Sequence, residues 1–249
     1  MIEPSRGIAL SSDIFTKFKM GIPLDSPRAS APVIGLVHAT LAAVQPMVAA
    51  FHRYAPGVTL LHFLDEGLLP LVNRSGLTSA TVGELERLVA RASASGATGV
   101  LLTCSAFSPS VPALQSHFAI PVLSVDEAML RRALEHGARI GVVATVEAAG
   151  PTTANLLRDY AAETGRMVEV SVRVVPEAFS ALKAGDEVRH DALVREQIVA
   201  LLPASDVVVL AQISMARALT GAPAYPKPVL TSPEVSIRAL LARLPAPLG

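Results

Sequence analysis

The stretch Gly99-Val100-Leu101-Leu102-Thr103-Cys104-Ser105-Ala106 contains the only cysteine in the 249-residue chain. Its first residues form an apolar run that is typical of a buried parallel strand, and Cys104 follows at the carboxyl end of that strand. A second stretch, Val208-Val209-Leu210-Ala211-Gln212-Ile213-Ser214, repeats the pattern with Ile213 in the place of the cysteine. Open α/β sheets bind ligands at the carboxyl ends of their strands, so the two stretches predict a ligand site with one thiol.

Two further landmarks occur twice and in the same order. Residues 33–39 are echoed by residues 139–145, and residues 121–124 are echoed by residues 228–231. The spacing agrees as well, since 70 and 73 residues separate Ile34 and Ile140 from the matched Cys104 and Ile213 positions. Three matched landmarks in order indicate an internal duplication.

Helical apolar patterns lie between these strands, and such alternation predicts an α/β fold with parallel sheets. We therefore expect one half over residues 32–137 and a second over residues 138–249, with the C-terminal helix free to pack on the first half. Residues 1–31 show no clear period and are predicted to be an N-terminal extension. Helices are expected over residues 42–54, 78–95, 110–118, 151–164 and 188–202, and from Asp126 and Pro233 onward.

The composition excludes several classes of function. Lys and Arg number 21, as do Asp and Glu, so the net charge is zero and we expect neither nucleic acid nor a membrane as partner. One cysteine and a first segment unlike a signal peptide predict a cytoplasmic protein without internal disulfides. The chain has no GxGxxG or GxxxxGK loop and no HxxxH or CxxC spacing, so we expect no nucleotide cofactor and no metal.

The layout over residues 32–240 resembles the aspartate/glutamate racemase superfamily, which includes hydantoin racemases, maleate isomerase and arylmalonate decarboxylase. The segments that carry the resemblance are Ile34–His38, Leu102–Ser105, Val125–Met129, Gly141–Thr145 and Leu210–Met215. The resemblance implies two flavodoxin-like halves related by a pseudo-twofold axis, with the active site in the cleft between them. It also implies a homo-oligomer that needs no cofactor and acts on a small carboxylate, amino acid or hydantoin-like substrate.

Racemases of this superfamily use two cysteines, one from each half, on opposite faces of the substrate carbon. Cys104 matches the first position, whereas Ile213 at the second cannot move a proton. The resemblance therefore leaves three functions open. They are a racemase or isomerase that transfers a proton next to a carboxylate or carbonyl, a one-sided decarboxylase or lyase, and a non-catalytic binder of small carboxylates.

Two residues are predicted to be catalytic. Cys104 is the candidate acid/base, and a helix N-terminus expected after Ser105 would lower its pKa. His38 ends the first strand on the same side of the sheet, where it could move a proton or orient the thiol. Surface roles are expected for the other histidines, which are His52, His62, His117, His136 and His190.

The polar residues at the matched strand ends are predicted to bind substrate, because hydroxyl and amide groups can donate hydrogen bonds to a carboxylate or an enolate. This predicted set comprises Thr103, Ser105, Thr145, Gln212, Ile213 and Ser214, in which Ile213 supplies an apolar wall. Asp126 and Glu127 follow another strand, and they are interpreted as a helix N-cap and a first-turn acid.

Overall fold

The computed structural model describes residues 31–245, so the predicted N-terminal extension lies outside the described residues except for Ala31. Two four-stranded parallel sheets form the centre of an α/β fold, as the alternating pattern predicts. The strands of the first sheet are β1 (Val33–His38), β2 (Thr59–Leu64), β3 (Gly99–Leu102) and β4 (Val122–Ser124). Those of the second sheet are β5 (Arg139–Ala144), β6 (Glu169–Val174), β7 (Val207–Leu210) and β8 (Val229–Thr231).

The two sheets have the same topology. The strand order is β2-β1-β3-β4 in one sheet and β6-β5-β7-β8 in the other. The apolar strands β3 and β7 are buried along their whole length, because helices cover both faces of a parallel sheet. The outer strands β2 and β6 are largely exposed or half-buried. The prediction of two similar α/β halves is thus confirmed.

Nine α-helices connect and flank the strands of the described range. The first five are α1 (Val44–Tyr54), α2 (Leu68–Ser75), α3 (Ser79–Ala94), α4 (Val111–His117) and α5 (Glu127–His136). The other four are α6 (Ala149–Glu163), α7 (Pro176–Lys183), α8 (Glu187–Leu201) and α9 (Ser232–Arg243). None of the helices in this part of the chain is long and apolar enough to cross a membrane.

The last helix of each sequence half packs on the sheet of the other half. Met129 and Leu130 of α5 are fully buried in a cluster with apolar residues of β5 and β7. Ile237 and Leu240 of α9 are fully buried in a cluster with apolar residues of β1 and β3. Gly99 at the start of β3 permits this approach, because a Cβ there would lie 2.7 Å from a methyl group of Leu244. The exchange buries apolar surface of both halves together.

The structure differs from the predicted elements at two short helices. Helices α2 and α7, each of eight residues, follow the outer strands β2 and β6 and have no predicted counterpart. The expected surface role of His190 is also wrong, since this residue of α8 is fully buried. Its Nδ1 lies 3.0 Å from the carbonyl oxygen of Ala178, a hydrogen bond that joins α8 to α7.

Candidate functional site

Cys104 lies where β3 ends, with its backbone extended at φ −127° and ψ 123°. A six-residue 3₁₀ segment, Ser105–Ser110, begins immediately after it. The Ser105 hydroxyl donates a hydrogen bond of 3.3 Å to the carbonyl oxygen of Ala211, which follows β7 in the second sheet. The carboxyl ends of the two central strands therefore meet, and Cys104 lies at their junction.

A cavity of about 330 Å³ opens at this junction between the two sheets. The first half contributes Thr103, Cys104 and Ser105 to its lining, and the second contributes Gln212, Ile213 and Ser214. Five of the six residues predicted to bind substrate thus line one cavity together with the thiol. Thr145 does not line the cavity, although its backbone N–H donates a hydrogen bond to the side chain of Gln212, which does.

The strand register shows that Gln212, and not Ile213, is the counterpart of Cys104. In the first sheet Val37 of β1 pairs with Leu102, two residues before Cys104. In the second sheet Val143 of β5 pairs with Leu210, two residues before Gln212. The backbone agrees, because Gln212 also precedes a 3₁₀ segment and has φ −127° and ψ 146°. The predicted match of Ile213 with the thiol is therefore wrong by one residue, since Ile213 corresponds to Ser105.

The side chain of Gln212 is held in one orientation. Its Oε1 accepts a hydrogen bond of 3.0 Å from the backbone N–H of Thr145, which follows β5. Its Nε2 is shielded from solvent and has no partner among the described residues, as is also true of Thr145 Oγ1. A buried donor without a partner is costly, so the amide is ready to bond an acceptor on a ligand.

His38 is fully buried at the end of β1 and contacts Thr103, the residue before Cys104. Its Nδ1 lies 2.8 Å from Thr103 Oγ1, and that hydroxyl donates to the Val37 carbonyl oxygen at 3.1 Å. Its Nε2 lies 3.0 Å from Nδ1 of His62, whose ring stacks on it. Both ring nitrogens therefore have partners other than the Cys104 thiol, and a role of His38 in moving a proton or orienting the thiol stays a prediction. His62 is exposed on β2, as predicted, and it also contacts the buried His38.

Burial controls the ionisation of both predicted catalytic residues. Loss of solvent lowers the pKa of His38 to about 4, with a further contribution from His62, so its imidazole is neutral near pH 7. Burial raises the pKa of the Cys104 thiol to about 11, and the backbone N–H of Ala106 offsets only part of this increase. The predicted lowering of the thiol pKa is therefore wrong, because a short 3₁₀ segment does not compensate for the lost solvent.

Asp126 was missed as a residue of this region, since its position before α5 suggested an N-cap. Its side chain makes no capping hydrogen bond. The carboxyl group is instead buried beneath the 3₁₀ segment, where it accepts a hydrogen bond of 3.2 Å from Ser108. Burial raises its pKa to about 6, although the nearby hydroxyls of Ser105 and Ser108 oppose the increase.

Other residues outside the predicted set also line the cavity. Asn73 of α2 and Phe179 of α7 reach the cavity from the two helices that the sequence pattern did not predict. The remaining polar residues that line it are Thr40, which follows β1, and Thr152, which lies in α6. No side chain of Asp, Glu, Lys, Arg or His within residues 31–245 lines it. The same range contains no cluster of three potential metal ligands.

The sequence matches a known family over most of its length. The sequence model of the Asp/Glu/hydantoin racemase family matches residues 33–240, which include both sheets and the cavity between them. Among curated protein sequences, none matches the chain significantly.

Solved structures resemble the fold at low sequence identity. Aspartate racemase from Picrophilus torridus has a TM-score of 0.64 at 14% identity, over 86% of this chain and 96% of that one. Allantoin racemase from Klebsiella pneumoniae has a TM-score of 0.62 at 17% identity, over 85% and 87%. Unliganded arylmalonate decarboxylase has a TM-score of 0.53 at 17% identity, over 86% and 92%. These likenesses establish the fold, whereas chemistry has to be argued from the site.

Proposed function

Because the chain belongs to the Asp/Glu/hydantoin racemase family, we propose that it is a cofactor-independent enzyme that transfers a proton at the carbon next to a carboxylate or carbonyl group. Cys104 is the acid/base of this proposal. The observation that carries it is the position of the chain's only thiol at the strand junction, in the wall of the cavity between the two sheets. Open α/β sheets bind ligands at this edge.

The proposed reaction begins with removal of the substrate α-proton by the Cys104 thiolate. The C–H bond breaks, its electron pair enters the carbonyl group, and an enolate forms. Neutral donors around the cavity stabilise the developing negative charge, because they are fixed in place and shielded from bulk water. The Gln212 amide is the proposed side-chain donor, because its Nε2 has no partner among the described residues, whereas the Ser105 hydroxyl donates its one hydrogen to Ala211.

The lining also suggests the kind of substrate. Since the cavity is lined by hydroxyl and amide groups and by no cationic side chain of the described residues, it suits one carboxylate or carbonyl group held by neutral donors. Leu69, Val146, Phe179 and Ile213 form an apolar part of the wall. We therefore propose a small acid or hydantoin-like substrate with an apolar substituent.

A second candidate function is a one-sided decarboxylation. Gln212 occupies the position that matches Cys104, and an amide neither removes nor delivers a proton near neutral pH. With a single acid/base, the enzyme would protonate its enolate from the Cys104 side only. A substrate that loses CO₂ to form the enolate needs no second base, so this geometry suits a decarboxylase as well as an isomerase.

Proton exchange in deuterated water tests the proposal. Purified protein is incubated with a panel of small α-substituted carboxylates, malonates and hydantoins, and NMR follows deuterium incorporation and loss of CO₂. Turnover that disappears in Cys104→Ala and persists in the matched surface variant Ser116→Ala supports the function, since Ser116 lies on the exposed side of α4. Protection of Cys104 from alkylation by a panel compound, without exchange or decarboxylation, identifies a binder instead.

A further inference from the structure

Asp126 lies beside Cys104 at the ends of two neighbouring strands. Leu102 of β3 pairs with Ser124 of β4, and the ladder continues with the hydrogen bond of 2.9 Å from Val125 N–H to the Leu102 carbonyl oxygen. Cys104 lies two residues after Leu102, and Asp126 lies two residues after Ser124, so the two side chains follow neighbouring strands at the same level. Their charges interact, since the carboxylate is one cause of the raised thiol pKa.

The surroundings of Asp126 leave its charge without a cation. The side chain is 2% exposed, and within residues 31–245 no Lys, Arg or His forms an ion pair with it. Ser108 donates a hydrogen bond to it, and the nearby Ser105 hydroxyl also lowers its pKa; both residues lie on the 3₁₀ segment that follows Cys104. Burying a carboxylate with so little compensation costs stability, and a buried carboxyl group with a raised pKa is a candidate for acid/base chemistry.

The other ionisable groups nearby belong to α5 and α6. Glu127 and Glu163 both bind Arg131, so these three form a separate ionic group. Tyr160 of α6 faces the same region, and its pKa is raised by burial and then by nearby acids, Asp126 among them. Cys104 is therefore the group that can exchange a proton with Asp126 at the cavity.

The second half of the molecule contains the same strand ends without either group. Leu210 of β7 pairs with Thr231 of β8, so the positions two residues on are Gln212 and Pro233. The alignment of this region is secure, because each copy has a Glu–Arg ion pair four residues apart at the start of its helix. These pairs are Glu127–Arg131 in α5 and Glu234–Arg238 in α9. Thiol and carboxyl are present together in one half, and both are absent from the other.

We propose that Asp126 is the proton partner of Cys104, an inference that rests on the proposed function. The Sγ–H bond breaks with its electron pair left on sulfur, and the proton passes to an oxygen of the Asp126 carboxylate. The pair keeps one negative charge throughout, so a reactive thiolate forms without added charge in a buried site. When the thiolate takes the substrate proton, Asp126 holds the other proton until the reverse step.

Alkylation of Cys104 tests this pair without a substrate. Iodoacetamide modification, followed by intact-protein mass as a function of pH, reports a single site because Cys104 is the only cysteine. Asp126→Asn removes the neighbouring negative charge, so the midpoint of the rate profile should fall by about one pH unit. Glu127→Gln removes a charge from the next residue, whose carboxylate binds Arg131, and should leave the midpoint unchanged.

In Asp126→Asn we expect turnover to fall while the thiol becomes more reactive towards iodoacetamide. Asp126→Asn has a more acidic thiol but no proton acceptor, so proton exchange on a panel substrate should fall by roughly 10²-fold or more. An unchanged alkylation midpoint, or a shifted midpoint with full turnover, overturns the proposal. Circular dichroism checks the fold, and Asp126→Ser replaces Asp126→Asn if the latter does not fold. If wild-type protein turns over no compound, the proposed function fails while the alkylation profile still decides whether the pair exists.

Discussion

Cys104 and Gln212 occupy equivalent positions at the ends of β3 and β7, and they face one cavity from opposite halves of the molecule. One is a thiol that can exchange a proton, and the other is an amide whose oxygen is already bonded to the Thr145 backbone. The duplicated fold therefore presents two unlike walls to a ligand. This asymmetry is the basis for expecting proton transfer on one face of the substrate only.

Replacement of Gln212 by cysteine should restore a second acid/base. Gln212→Cys places a thiol at the position that matches Cys104, so substrate enantiomers that exchange slowly in the wild type should gain exchange and interconvert. Chiral chromatography of reactions in deuterated water measures both enantiomers. Loss of the bond to Thr145 leaves a backbone N–H unsatisfied, and the free energy of unfolding should fall by about 1–3 kcal/mol.

The matched control is Ile213→Cys, which adds a thiol one residue further along the same wall. Since Ile213 corresponds to Ser105, this variant should not gain two-sided exchange. Equal gains in both variants would show that any thiol on this wall suffices, which would contradict the assignment by strand register. Comparable rates for both enantiomers in the wild type would reveal a second base and contradict one-sided chemistry.

Hydrophobic pattern predicted the strands around the site but could not fix their register. The apolar runs that end near Cys104 and Ile213 look alike in sequence, yet the distance from β5 to β7 differs by two residues from that between β1 and β3. The pairing of Val37 with Leu102 and of Val143 with Leu210 shows this difference. The hydrophobic pattern alone does not reveal such pairing. The position of Cys104 at the end of β3 could be predicted, because the apolar run of that one strand is enough to locate its end.

Residues that depend on tertiary contacts were missed for a different reason. Helices α2 and α7 are too short to show a reliable period, so Asn73 and Phe179 gave no sign that they line the cavity. Asp126 has the sequence context of an N-cap, and only the 3₁₀ segment packed over it reveals a buried carboxyl group. His62 comes next to His38 through the pairing of β1 with β2.

The tight packing of β1 predicts that Gly35 cannot accept a side chain. A Cβ there would lie 2.8 Å from the Cβ of Ala92 in α3, so Gly35→Ala should reduce the free energy of unfolding by about 1–3 kcal/mol. Gly83 lies within α3 with nothing within 4 Å of an added Cβ, and Gly83→Ala should instead stabilise by about 0.5–1 kcal/mol. Urea denaturation of both variants measures the contrast. Equal effects would contradict the packing of α3 on β1.

The burial of His38 predicts a loss of stability in acid. Burial lowers the pKa of His38 to about 4 from 6.5, so the unfolded chain binds more protons than the native protein between these values. Stability from this residue is complete above pH 6.5 and is lost as the pH falls towards 4. In His38→Asn the free energy of unfolding should depend less on pH over this range. Urea denaturation at several pH values measures it, and an unchanged slope would show that the pKa of His38 is the same in the native and unfolded states.

Asp126 predicts the opposite dependence in the same pH range. Burial raises its pKa to about 6 from 3.8, so the native protein binds more protons than the unfolded chain between these values. This residue therefore reduces stability as the pH rises from 3.8 to 6, by at most about 3 kcal/mol at 1.36 kcal/mol per pKa unit. Asp126→Asn should remove that cost and be more stable relative to the wild type at pH 8 than at pH 4.

Glu127→Gln is the control, and it should show no such gain because the Glu127 carboxylate binds Arg131. A constant difference between Asp126→Asn and wild type at all pH values would mean that the carboxyl group does not titrate in this range, and the basis for proton exchange with Cys104 near neutral pH would be lost.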